Sequence, residues 1–103
     1  MRVEVSFQGI AKSEALEGRI LEKAAKLEQL HDDVAHCRVV VSSPHRHQHS
    51  GSLFEVHIDA HYPGGEASVS RSHRNDGAHA DPAVAVRDAF AALHQRLTHV
   101  KAH

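Results

Sequence analysis

The chain has 103 residues, of which twelve are lysine or arginine, thirteen aspartate or glutamate and twelve histidine, giving a formal charge of −1 with histidine neutral. This length implies a single domain, residues 1–103, able to bury ~60–70% of its unfolded surface without staples. One cysteine excludes an intrachain disulfide, no run approaches the ~20 apolar residues of a membrane span, and the charged start at Arg2 and Glu4 is unlike a leader, so a soluble cytoplasmic protein with no membrane partner is expected. Histidines with an unperturbed pKa near ~6.5 carry the net charge from about +2 at pH 7 to about +8 at pH 6, so a polyanion should bind better in acid.

In chain order, Val3, Val5 and Phe7 alternate with Arg2, Glu4, Ser6 and Gln8, which predicts a half-buried strand over residues 3–7 ended by Gly9. A helix is expected over 13–30, capped by Ser13, with Glu14 and Glu17 at its positive end and an apolar stripe of Leu16, Ile20, Ala24, Leu27 and Leu30. At about 100° per residue, Arg19, Lys23 and Lys26 follow one border of the stripe. Glu17 and Glu28 follow the other border, and Glu14 and Glu22 lie on the solvent side. Residues 37–43, 53–62 and 66–71 read as a meander of three strands, with turns at Ser50-Gly51 and Pro63-Gly64-Gly65. Within the valine-rich strand, Cys37 is expected to be a small buried hydrophobe.

In the long strand Phe54, Val56, Ile58 and Ala60 share one face, while Glu55, His57, Asp59 and His61 share the other, expected to be uncovered. Residues 71–80 lack periodicity and read as a loop that can offer Arg74 to a partner. A second helix is expected over 81–100, with Asp81 as cap, Pro82 at the first position and a stripe of Val86, Ala89, Phe90, Leu93, Leu97 and Val100. Arg87, His94 and Lys101 recur every seven residues along one border of this helix. The fold class is α+β, in the order β-α-β-β-β-α, with a four-stranded sheet and two helices packed on one face. Such a fold has little depth for a substrate cavity, so function is sought on its surface. If the helices pack side by side, their basic borders can meet or flank a common groove.

Two histidine-bearing segments offer a different chemistry. His45, His47 and His49 alternate at the end of one strand and His57, Asp59 and His61 on the next, and imidazole and carboxylate suit zinc, copper or nickel. The trios lie at different distances from the Ser50-Gly51 turn, so His57 should pair nearer Ser43 than His47, and all six cannot meet at one ion. The alternative is a solvated hairpin tip whose histidines and Arg46 donate to phosphate. No nucleophile with a spaced partner accompanies these groups, so neither an enzyme nor a cofactor is expected. With only Phe7, Phe54, Tyr62 and Phe90 as aromatics, base stacking on single strands is disfavoured.

Ser13-Glu-Ala-Leu-Glu-Gly-Arg-Ile with Lys23-Ala-Ala-Lys-Leu-Glu-Gln-Leu30, Asp33-Val34 leading into Cys37-Arg-Val-Val-Val41, and Asp81-Pro-Ala-Val-Ala-Val-Arg-Asp-Ala-Phe-Ala-Ala-Leu93 with Gln95-Arg-Leu97 and Lys101 are three blocks that span nearly the whole chain. In order and spacing they resemble the ribosome hibernation-promoting factor and ribosome-associated inhibitor family, historically described as sigma-54 modulation proteins. The resemblance is to a short form, and the Pro44-His-Arg-His-Gln-His49 segment is similar to a histidine-rich subgroup. It implies a partner, the small ribosomal subunit and its rRNA, and a role in silencing translation or protecting idle ribosomes. It assigns RNA contact to Lys23, Lys26 and Lys101; helical geometry adds Arg19, Arg87 and His94. Arg46 and Arg74 complete the expected set. Three classes remain: a ribosome-bound silencer, a histidine-rich metal-binding or metal-sensing module, and a generic interaction domain, with a weak homodimer through an exposed edge strand left open.

Overall fold

The computed structural model describes residues 1–43, 52–75 and 81–100, the side chains of residues 52, 53 and 73–75 excepted. Its elements are β1 Arg2–Gln8, α1 Glu14–Leu30, β2 His36–Ser42, β3 Ser52–Tyr62, β4 Gly65–Asn75 and α2 Pro82–Val100. The strands lie in the order β1-β2-β3-β4. β1 and β2 are parallel because α1 carries the chain back to the end where β1 began, whereas β2, β3 and β4 are successively antiparallel.

Register sorts the strands into two faces. Val3, Val5 and Phe7 stand beside Cys37, Val39 and Val41, which oppose Ala60, Ile58 and Val56; Ala60 and Ile58 in turn oppose Ala67 and Val69. This apolar face packs in one core with Leu16, Ile20, Ala24 and Leu27 of α1 and Val86, Ala89, Phe90, Leu93 and Leu97 of α2. Ile20, Ile58, Leu93 and Leu97 have no exposed surface, and each such side chain stabilises the fold by ~1.5–3 kcal/mol. Cys37 is equally buried. Burial, reinforced by the charge of Asp59, pushes its thiol up to about 11, so it remains protonated and behaves as the small hydrophobe expected.

Both helices start where their polar caps place them. Ser13 Oγ accepts from the Leu16 N–H at 3.2 Å. Asp81 Oδ1 accepts from the Ala83 N–H at 2.9 Å and the Asp81 carbonyl from the Val84 N–H at 2.9 Å, with Pro82 at the first helical position. The far ends differ from expectation. Leu30 is 62% and Val100 40% exposed, because the last turn of each helix has little opposing layer to cover it. The larger correction concerns residues 71–80: 71–75 continue β4, in register with β3 out to Ser52↔Asn75. An 11-residue β3 presents backbone donors and acceptors along its whole length, and pairing with them outweighs the absence of apolar alternation in Arg71-Ser-His-Arg-Asn. Among the described residues no helix is long and apolar enough to cross a membrane.

Candidate nucleic-acid interface

The two helices lie side by side over the sheet, and their basic borders face each other. Arg19, Lys23 and Lys26, at i, i+4 and i+7 on α1, turn the same way, as do Arg87 and His94 on α2. Between the helices runs a trough whose wider part, about 290 Å³, is lined by Arg19, Lys23 and Arg87 together with Glu22 and Asp81. It continues into a part of about 190 Å³ lined by Lys23, Lys26, Leu30, Arg87, Phe90 and His94. Lys23 and Arg87 belong to both parts, so the trough is continuous. Lys23 is half-buried at its centre, while Arg19, Lys26 and Arg87 are exposed.

The charge pattern has a physical origin in the packing of α1. Glu28, on the border away from α2, accepts from the Met1 ammonium at 2.6 Å, and Glu17 lies 3.6 Å from Lys12 Nζ. Those acids are matched by cations from the β1 side, which leaves the α2 side of α1 predominantly basic. Glu22, exposed as expected, also lines the wider part of the trough together with Asp81, so one end of it carries both signs. On α2 the Arg87 Nε–Asp88 Oδ1 pair at 3.3 Å partly offsets the guanidinium. Four cationic side chains, Arg19, Lys23, Lys26 and Arg87, still face two carboxylates across the trough.

At the end of the trough the helices are joined by a hydrogen bond between His31 Nε2 and His94 Nδ1, 2.9 Å apart, with ring centroids 5.0 Å apart and planes inclined at 55°. One of these nitrogens bears the N–H that donates and the other accepts through its bare lone pair. His31 is buried at the C-cap of α1. Its part in the interface was not anticipated from sequence, since a histidine after a helix gives no sign of which element it will meet.

The uncovered face carries His36, His57 and His61. His36 and His61 are cross-strand partners with rings stacked at 5.6 Å, flanked by Glu4 Oε2 at 3.5 Å from His36 and Glu66 Oε2 at 3.6 Å from His61. His57 joins Ser70 Oγ at 2.7 Å to Asp59 Oδ1 at 2.9 Å, and Ser68 Oγ donates to the same carboxylate oxygen at 2.5 Å. His57 opposes Val40, three positions short of Ser43. His57, Asp59 and His61 thus share the face anticipated for them, but among the described residues no three histidine, cysteine, aspartate or glutamate side chains are grouped to hold a metal ion. His45, Arg46, His47, His49 and Lys101 lie outside the described residues, and Arg74 is placed only as backbone on β4.

A second basic groove was missed. On the opposite flank of α2, Arg96, Gln95 and His99 face Arg71 of β4 across a groove of about 540 Å³. Its available signal was the i, i+3 spacing of Arg96 and His99. Arg71 closes the strand read over 66–71, and its meeting with Arg96 has no local signal because the helix that flanks a strand is set by packing.

Residues 3–103 match the family described as sigma 54 modulation protein / S30EA ribosomal protein. The chain belongs to that family. Among solved structures of similar fold, the Protein Y N-terminal domain of Thermus thermophilus aligns with a TM-score of 0.75 at 20% identity, covering 98% of this chain and 100% of that one. A ribosomal subunit interface protein from Coxiella burnetii aligns with a TM-score of 0.80 at 17% identity, covering 100% of both. At these identities the likeness is one of fold. No curated protein matches the chain in sequence. Membership of the sigma 54 modulation protein / S30EA family agrees with the three blocks of resemblance and makes this a ribosome-associated protein of the hibernation type.

Proposed function

We propose that this protein docks on the small ribosomal subunit by laying the interhelical trough along rRNA phosphates, and that in doing so it silences translation or protects idle ribosomes in the cytoplasm. The observation that carries this reading is the convergence of Arg19, Lys23 and Lys26 with Arg87 and His94 on one trough. Each phosphate met by lysine or arginine releases condensed counterions, so cations held on two rigid helices give affinity with little sequence readout. Residues 1–103 act as one binding unit in this reading, which assigns it no catalytic step. Lys101, Arg46 and Arg74 are further candidate contacts to rRNA in this proposal, named for the charge of their side chains. The metal-module reading has no supporting group among the described residues.

Sedimentation through a sucrose gradient tests the proposal. Wild type should co-migrate with small subunits at low salt, and Lys23→Glu combined with Lys26→Glu and Arg87→Glu should leave the top of the gradient holding the protein with an unchanged circular dichroism spectrum. Undiminished co-migration of that folded variant would remove the trough as the docking surface.

A further inference from the structure

The groove between β4 and α2 has a different construction from the interhelical trough. We propose that it is a docking site for an extended acidic polypeptide segment, which adds to β4 as a further strand. This inference does not depend on the ribosome reading, because it uses another surface and another chemistry.

The first observation is the state of the β4 edge. β3 and β4 are joined by the two residues Pro63 and Gly64, the glycine at φ 93°, with Tyr62 opposite Gly65. In a two-residue hairpin the closing pair exchanges both hydrogen bonds, and the pairs then alternate. Glu66, Ser68, Ser70 and Ser72 therefore fall at positions whose backbone N–H and C=O point away from β3. The Arg71 side chain bears this out: its Nη1 donates to the Ser70 carbonyl at 2.7 Å, from outside the ladder. That carbonyl accepts from a donor of its own strand where an added strand would supply an N–H. Among the described residues β4 has a strand neighbour on one side only, and an open edge of this kind is a template for pairing.

The second observation is the lining. Among the described residues Arg71, Arg96 and His99 border the groove and no carboxylate does, whereas the trough between the helices includes Glu22 and Asp81. Val69, Ala92 and Val100 supply an apolar floor, and Val100 is 40% exposed there. A nucleic-acid backbone would use the guanidinium groups but neither the strand edge nor the floor. An added strand uses all three. Its backbone pairs with Ser68, Ser70 and Ser72, one set of alternating side chains meets the apolar floor, and neighbouring carboxylates on that helix-facing side reach Arg71 and Arg96, the former giving up the Ser70 carbonyl. The occupant is thus a short extended segment whose helix-facing residues, every second one, are in turn aliphatic and acidic.

Amide resonances of isotopically labelled protein, titrated with decapeptides in which every second residue is in turn valine and glutamate and the residues between are threonine, test the proposal. Shifts should concentrate at Ser68, Ser70, Ser72, Arg96 and His99. Arg96→Glu should weaken binding roughly tenfold. Ser70→Pro removes the outward N–H without touching the β3 ladder and should abolish binding, while Ser70→Ala, which keeps the N–H but loses the contact with His57, should retain it. The variant carrying Lys23→Glu, Lys26→Glu and Arg87→Glu should bind the peptide as wild type does, so failure of the trough and of this groove are separable. No shift with acidic peptides, equal shifts with lysine-bearing peptides, or binding unaffected by both Arg96→Glu and Ser70→Pro would overturn it. Two further outcomes also overturn it: a single-stranded RNA decamer displacing the peptide yet insensitive to Ser70→Pro would make the groove a nucleic-acid site, and concentration-dependent shifts at β4 in protein alone would make a second copy the occupant.

Discussion

Asp59 shows how a single side chain on the open sheet face acquires a measurable role. Partial burial opposes its ionisation, but hydrogen bonds from Ser68 and His57 and the charges of His57 and His61 outweigh that effect and hold its carboxyl below the ordinary 3.8. A carboxylate with a folded-state pKa below its unfolded value stabilises the fold above the unfolded value and loses that contribution as pH falls through the folded one. Asp59→Asn should therefore lower the melting temperature at neutral pH and flatten the loss of stability below about pH 4, as read in thermal melts. Cys37, raised to about 11 by burial, should resist iodoacetamide in the folded protein and react fully in denaturant. Ile20→Ala, at a position with no exposed surface, should cost ~2–5 kcal/mol in urea unfolding. These interior roles follow closely from sequence, since alternation and helical period point each of Cys37, Ile20 and Ile58 inward. The contacts of His57 with Ser70 and of His31 with His94 do not, because each joins residues whose neighbourhood depends on strand register or helix packing.

At the scale of elements, the starts of both helices were written locally and their ends were not. Ser13 and Asp81 satisfy N–H groups within three residues of themselves, so their effect is independent of the rest of the fold. Asp81→Ala should lower stability by ~1 kcal/mol with loss of helical signal confined to the start of α2, as hydrogen exchange at Ala83 and Val84 would show. Leu30 and Val100 obey the same apolar period as the buried stripe, yet are exposed, because periodicity assigns a face without saying how far the opposing layer reaches. β4 makes the same point from the other side: its continuation through Asn75 rests on hydrogen bonds to β3, a partner invisible in the composition of residues 71–75.

For the whole molecule the decisive quantity is the field across the trough. With about four phosphate contacts, from Arg19, Lys23, Lys26 and Arg87, ribosome affinity should fall on the order of a hundredfold between about 50 and 200 mM salt, measured by co-sedimentation. It should strengthen on acidification as the twelve histidines take up protons. The amphipathic stripes, the alternating strands and the basic border of each helix were all readable along the chain, because a side chain's direction relative to its own backbone repeats with the period of the element that carries it. That the two borders face each other, that Glu22 intrudes between them, that Arg71 and Arg96 share a groove and that His31 meets His94 were set by how α1 and α2 settle on the sheet. Distances between elements arise from packing of the shared core, and no local period encodes them.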